Sequence, residues 1–223
     1  MVTSRQPRAG GLPRKLGRPP RVKAQDTRRR LLDIARGVYA ERGYEAATNK
    51  EIADLAEMTT AALYYHFPSK RDLYLAVHDD ARDQVYSRFE DALDPGDGFA
   101  GQLVTVLVAT HELNEEDPTL ASFLASARTD MRRRPDLADA LRERVEHRRD
   151  FFSRIIDVGV RTGEIKPDHR QLVEVFITAM ITGMTDALSD DQDVHLKAIE
   201  AVKSILAGDL VRPPNTTGRR RAG

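Results

Sequence analysis

The stretch "NKEIADLAEMTTAALYYHFPSK", Asn49 to Lys70, gathers threonine and tyrosine hydroxyls, a histidine and two lysines, all groups that can donate hydrogen bonds. On a helical wheel, Leu63 and Phe67 lie four apart on one side, while Thr60 and Tyr64, and Ala61 and Tyr65, face the other way. Thr59, Thr60, Ala61 and Ala62 open the segment, where small side chains let the backbone approach the floor of a groove. Their methyls suit thymine methyls, and their hydroxyls and free amides suit phosphates or base edges. A helix N-terminus also favours an anion. Tyr64, Tyr65 and His66 add donors, and Lys50 and Lys70 bring positive charge to the two flanking helix starts. The same wheel also fits ordinary amphipathic packing, and spacing alone does not choose.

The elements that would position these groups are legible from their ends. Thr48 with Glu51, and Ser69 with Asp72 just after Pro68, have capping-box spacing, and Thr59 can cap the helix between them. Upstream, Asp26 is expected to cap a helix that runs to about Arg42 and stops at Gly43. Downstream, Leu73, Val77, Ala81, Val85 and Phe89 form an i, i+4 ladder in a helix reaching about Leu93. Two short helices between longer ones have the layout of a helix-turn-helix. After the break "DPGDG" at 94–98, helical patterns are expected at about 99–114, 118–128, 137–163, 168–188 and 191–207. Their start signals are Asp117-Pro118, Asp168 with Gln171, and Ser189 with Gln192. No stretch alternates convincingly as a strand, so the fold class is all-α.

Composition narrows the function. There is no cysteine, which excludes disulfide and thiolate chemistry. The stretch "VEVFITAMITGM" carries Glu174 and falls short of the roughly 18 apolar residues that cross a bilayer. No apolar region follows the basic N-terminus, so a cytoplasmic address without membrane contact is expected. Net charge is zero, but residues 1–30 carry ten basic residues against Asp26 alone, leaving the rest acidic. Such asymmetry suggests a basic arm that meets a polyanion. Within it, "RKLGRPPR" contains Gly-Arg-Pro and resembles an AT-hook core, which would lay Arg14, Lys15, Arg18 and Arg21 in a narrow minor groove. A solubilising tail is the other reading. "THELNEED", Thr110–Asp117, puts a histidine among four acids, but it lacks metal-protease spacing and reads as a solvated helix end. Nucleophile elbows, P-loops and GxGxxG fingerprints are absent, so neither an enzyme nor a cofactor is expected.

"ARGVYAERGYEAATNKEIADLAEMTTAALYYHFPSKRDLYLAV", Ala35–Val77, resembles the DNA-binding domain of TetR-family transcription regulators. The features that match are the "AERGY" helix end, the threonine before the second helix, the "IA" pair and "LYYHFPSK". The resemblance implies DNA contacts at Thr48, Lys50, Thr59, Thr60, Ala61, Tyr64, Tyr65, His66 and Lys70. It departs from the family at Glu57, in a turn position usually held by glycine, and at Ala61 and Ala62, where glycine and threonine are frequent.

The implied organisation is a disordered basic arm (1–24), a three-helix helix-turn-helix domain (25–72), a helical ligand-binding and dimerisation domain (73–210) and a disordered basic tail (211–223). The implied function is a ligand-responsive, homodimeric repressor on a palindromic double-stranded operator, released by a small apolar or amphipathic effector. An activator, or a ligand-independent DNA-binding protein, is the alternative. The pattern offers Leu107, His111, Phe123, Ala127, Arg128, Phe151, Phe152, Ile155, Phe176 and Met180 as ligand contacts. For the dimer it offers Leu172, Phe176, Ala179, Met180, Gly183, Met184, Ile199, Val202 and Leu206.

Overall fold

The computed structural model describes residues 20–142 and 146–210. Its elements are α1 (Pro20–Ala46), α2 (Asn49–Leu55), α3 (Thr60–His66), α4 (Lys70–Ala92), α5 (Phe99–Glu116), α6 (Thr119–Arg133), α7 (Pro135–Arg142), α8 (Glu146–Thr162), a 3-10 turn (Pro167–His169), α9 (Arg170–Asp190) and α10 (Gln192–Ala207). No strand occurs among the described residues, as expected for an all-α chain.

The predicted caps hold where the signal is local. Thr48 Oγ1 accepts from Glu51 N (3.1 Å), Thr59 Oγ1 from Ala62 N (3.1 Å) and Ser69 Oγ from Asp72 N (3.0 Å). Glu57 takes a positive φ of 55° at the turn between α2 and α3. A non-glycine there costs about 1 kcal/mol; its exposed side chain turns away to Arg30, 3.7 Å away.

Other expectations need correction. α1 begins at Pro20 rather than Asp26, because the fixed φ of proline suits a first helical turn. Residues 20–24 of the expected arm are therefore helical, and Arg21 lies in a helix instead of an extended strand. Arg14, Lys15, Arg18 and the tail 211–223 lie outside the described residues. α9 continues through Asp190, so α10 is capped by Asp191, which accepts from Asp193 N (2.9 Å) and Val194 N (3.3 Å), and not by Ser189. Asp168 falls in the 3-10 turn, and α9 starts without a side-chain cap. The expected helix 137–163 is described as α7 and α8, with 143–145 outside the described residues.

One apolar core joins the first three helices to the first half of α4 and to α6 and α7, through Leu31, Tyr39, Ile52, Leu63, Tyr74, Phe123 and Leu141. A second lies among α4, α5, α8 and α9, around Phe89, Phe99, Val106, Phe151 and Ile156. Two buried polar contacts fasten α1 to α6. Arg36, 4% exposed, donates from Nε to Thr119 Oγ1 (2.8 Å) and pairs with Asp117, with Asp33 (3.2 Å) and with Asp80 (3.7 Å). Asp130 accepts from Tyr44 N (2.9 Å) and from the Tyr74 hydroxyl (2.9 Å). Gly43 makes the second contact possible. Its φ of 71° and ψ of 175° form a conformation that is essentially glycine-only, and a Cβ there would stand 3.3 Å from Asp130 Oδ1.

Candidate functional site

α3 is fixed from beneath by Leu63 (0% exposed) and Phe67 (3%), which leaves its other face to solvent. Tyr65 is 87% exposed and Tyr64 46%, while Thr59, Ala61 and Ala62 are exposed at the helix start. Thr60 and His66 are half-buried, and the His66 ring meets Tyr65 edge-on at 5.6 Å. The structure thus brings Thr59, Thr60, Ala61, Tyr64, Tyr65 and His66 to one short helix, with exposed Lys50 and Thr48 at the start of α2. Lys70 differs from expectation. Its ammonium donates to the Glu45 carbonyl (3.1 Å) and sits 4.6 Å from the Tyr44 ring centre, held by the exposed carbonyl at the end of α1. Burial lowers the pKa of Lys70.

A cavity of about 140 Å³ lies in the second half of the molecule. α4 contributes Val85, Tyr86 and Phe89, α5 Leu107 and Asn114, α6 Leu120, Leu124 and Arg128, α8 Phe152, α9 Ile181 and Met184, and α10 His195. Of the expected contacts, Leu107, Arg128 and Phe152 line it. Phe123 and Ala127 instead belong to the first core, with the Phe123 ring beside Tyr39 and Tyr74, while Leu120 of the same core also reaches the cavity. Phe151 and Ile155 fill the second core, Met180 packs partly buried against it, and Phe176 is 54% exposed on the outer face of α9. His111 stacks on His195 at 5.5 Å and 10°. The sequence reading missed the α4 wall, Leu120 and Leu124 on α6, and His195. The available signals were the Leu120, Leu124, Arg128 ladder on α6, and a histidine one turn before Ile199 on the apolar side of α10.

His195 is fully buried, and burial, then neighbouring His111, lowers its pKa to about 4. Beside it stand His111 on α5 and, 3.9 Å from His111 Nε2, Glu115. The unfolded chain takes up the proton near pH 6.5 and the folded chain only near 4. Stability from this residue is therefore complete above about pH 6.5 and falls as the pH drops toward 4. The folded state is expected to lose about 2 kcal/mol between pH 7.5 and 5 from His195 alone. Urea unfolding at the two pH values checks this, with H195F expected to flatten the difference.

Residues 31–77 match the family model described as "Bacterial regulatory proteins, tetR family". The chain is 28% identical over 148 residues to the HTH-type transcriptional regulator UidR of Escherichia coli K12, covering 66% of this chain and 73% of the relative. It is 29% identical over 153 residues to the HTH-type transcriptional repressor KstR2 of Mycolicibacterium smegmatis, covering 67% and 73%. Residues 31–77 carry a TetR-family DNA-binding domain, and the chain is similar to TetR-family transcriptional regulators over about two thirds of its length. Its fold matches that of the transcriptional regulator FadR of Bacillus subtilis, solved in complex with stearoyl-CoA, with a TM-score of 0.70, 22% identity, and 81% and 98% of the two chains covered.

The chain carries one further surface feature. Leu172 (67% exposed), Val175 and Phe176 share a stripe of α9 with exposed Ala179 and Gly183, and α10 adds Leu196, Ile205 and Leu206. Five of the expected dimer residues lie on this face: Leu172, Phe176, Ala179, Gly183 and Leu206. Met184 and Ile199 do not, since both are buried with Leu107 inside the chain's own core, and Met180 and Val202 pack partly against that core.

Proposed function

We propose that the protein is a homodimeric repressor that binds a palindromic operator through α3 and releases it when a small molecule enters the cavity. The carrying observation is the exposure of Tyr64 and Tyr65 on a short helix whose opposite face is locked into the core. Tyr65, 87% exposed, has little packing role, and Tyr64 keeps about half of its surface in solvent, which favours a contact face over ordinary amphipathic packing. Lys50, Thr59, Thr60, Ala61 and His66 then supply the remaining contacts to phosphates and base edges. Thr48 serves mainly as the cap of α2.

The cavity supports the ligand response because its walls are also the attachment of the reading head. α6 presents Leu120, Leu124 and Arg128 to the cavity. Through Asp130 and through the start of the same helix at Thr119, it holds Tyr44 and Arg36 of α1. α4 lines the cavity with Val85 and Phe89, and its first turn follows α3 directly. A ligand that spreads α4 from α6 would tilt α3 and change the distance between two reading heads. Linkage requires operator and ligand to weaken each other by the same factor.

Selection of bound fragments from a random DNA pool tests the reading. The expected product is a two-fold site with half-sites about 10–10.5 base pairs, or a multiple, apart. Equal affinity for random and selected DNA would sink the proposal. The exposed apolar stripe of α9 and α10 supports pairing of two copies there. Leu172→Glu combined with Phe176→Glu is expected to leave a folded monomer by analytical ultracentrifugation at micromolar concentration, where the unaltered chain sediments as a dimer.

A further inference from the structure

The polar groups of the cavity divide into two kinds. Arg128 is already ion-paired with Asp186, and Arg82 lies over the Tyr86 ring at 5.8 Å. His195, which is 0% exposed, has neither ring nitrogen hydrogen-bonded within the protein, and Oδ1 of Asn114, 4% exposed, has no partner either. Both residues line the cavity. They are also close in the fold, because Asn114 lies one turn along α5 from His111, whose ring stacks on His195. A buried polar atom without a partner is costly, so a ligand that satisfies these atoms supplies hydrogen bonds that the protein's own side chains do not.

We propose, on the reading above of a ligand-released regulator, that the cavity takes an uncharged molecule of about one six-membered ring carrying a hydroxyl group, bound at that hydroxyl by His195 and Asn114. Three observations narrow the class. The volume, about 140 Å³, is close to the roughly 150 Å³ apolar cavity that accepts benzene. The walls are mostly Leu, Val, Ile, Met and Phe, which favour a ring or an alicycle over a polar body. The free acceptor on Asn114 calls for a donor, and a neutral imidazole offers one donor and one acceptor. A hydroxyl matches both. A carboxylate brings only acceptors and would set its charge against Asn114 Oδ1, while the nearby guanidinium of Arg128 is occupied by Asp186.

Phenol and cyclohexanol are the probes, with toluene, benzoate and stearoyl-CoA as comparators, all measured by calorimetry on the full chain without DNA. Phenol or cyclohexanol is expected to bind at least tenfold more tightly than toluene, and benzoate is expected not to compete. The ring-nitrogen NMR signals of His195 should shift on titration of the unaltered protein, which keeps the test independent of any variant's folding. H195F should remove the tenfold preference for the hydroxyl while still admitting toluene. Toluene binding as tightly as phenol, tighter binding of benzoate or stearoyl-CoA, or unmoved His195 signals would each overturn the assignment. A separate titration of phenol into the operator complex isolates the parent reading. Binding without operator release supports the ligand class and overturns the effector role, whereas release by stearoyl-CoA alone supports the effector role and overturns the ligand class.

Discussion

Asp130→Ala is expected to lower folding stability by about 3–4 kcal/mol, seen as a lower urea midpoint with an unchanged slope. The carboxylate is 7% exposed and sits between two donors that have nowhere else to turn. Tyr44 N–H is aimed at it by the Gly43 backbone, and the Tyr74 hydroxyl reaches it from a fully buried ring. Burial, then Asp130 itself, holds the Tyr74 phenol far above its ordinary pKa, so this group stays protonated and must donate. Alanine leaves both donors buried and unpaired, at about 1–3 kcal/mol each, and opens a space among Tyr39, Tyr44 and Tyr74, whose rings meet edge-on or stacked. Asp130→Asn retains an acceptor oxygen and should lose about half as much. The loss should also appear in DNA binding measured below the unfolding transition, because Asp130 is a fastening between α6 and the helix that carries the reading head. A stability change under about 1 kcal/mol would show that the two hydrogen bonds are replaced by water at little cost.

The features that were legible in the sequence are those whose cause lies within a turn of the chain. Thr48, Thr59 and Ser69 cap the helices they precede because the bonded amide is two or three residues away. Leu63 and Phe67 are inward, and Tyr64 and Tyr65 outward, because a four-residue step fixes a helix face. The bend at Gly43 and the left-handed residue at Glu57 follow from the local backbone. The α1–α6 fastenings had no such signal. Arg36 meets Thr119 across 83 positions and Tyr44 meets Asp130 across 86, and nothing in either short segment marks the other. Most of the residues expected around the cavity lie elsewhere for a related reason, although Leu107, Arg128 and Phe152 do line it. Phe123 and Leu124 are adjacent and equally apolar, yet one faces the core with Tyr74 and the other the cavity. Only the placement of α6 between α1 and α9 distinguishes them. Met184 and Gly183 repeat the case on α9, one buried and the other exposed.

Tyr64→Ala with Tyr65→Ala is expected to reduce operator affinity roughly a thousandfold while leaving the thermal midpoint nearly unchanged. Each hydroxyl offered to a phosphate contributes about 1 kcal/mol net. Two per subunit and two subunits per operator give about 4 kcal/mol, and each 1.4 kcal/mol is tenfold. The exposure of both rings decides the second half of the expectation: a side chain 87% exposed, as Tyr65 is, has little packing to lose. Tyr64, at 46%, loses more, but Leu63 and Phe67 still anchor α3 from below. The matching phenylalanine pair separates the two contributions, since it removes the hydroxyls and keeps the rings. If that pair binds as the unaltered protein does, the rings act by contact with sugar or thymine methyls and the phosphate assignment fails. If the alanine pair binds normally as well, α3 is not the reading helix. Fluorescence anisotropy over a series of matched salt concentrations is the measurement, because phosphate contacts weaken steeply as salt rises. The slope against salt should change little in either pair, since neither removes a charge, whereas Lys50→Ala should shallow it by about one unit per subunit.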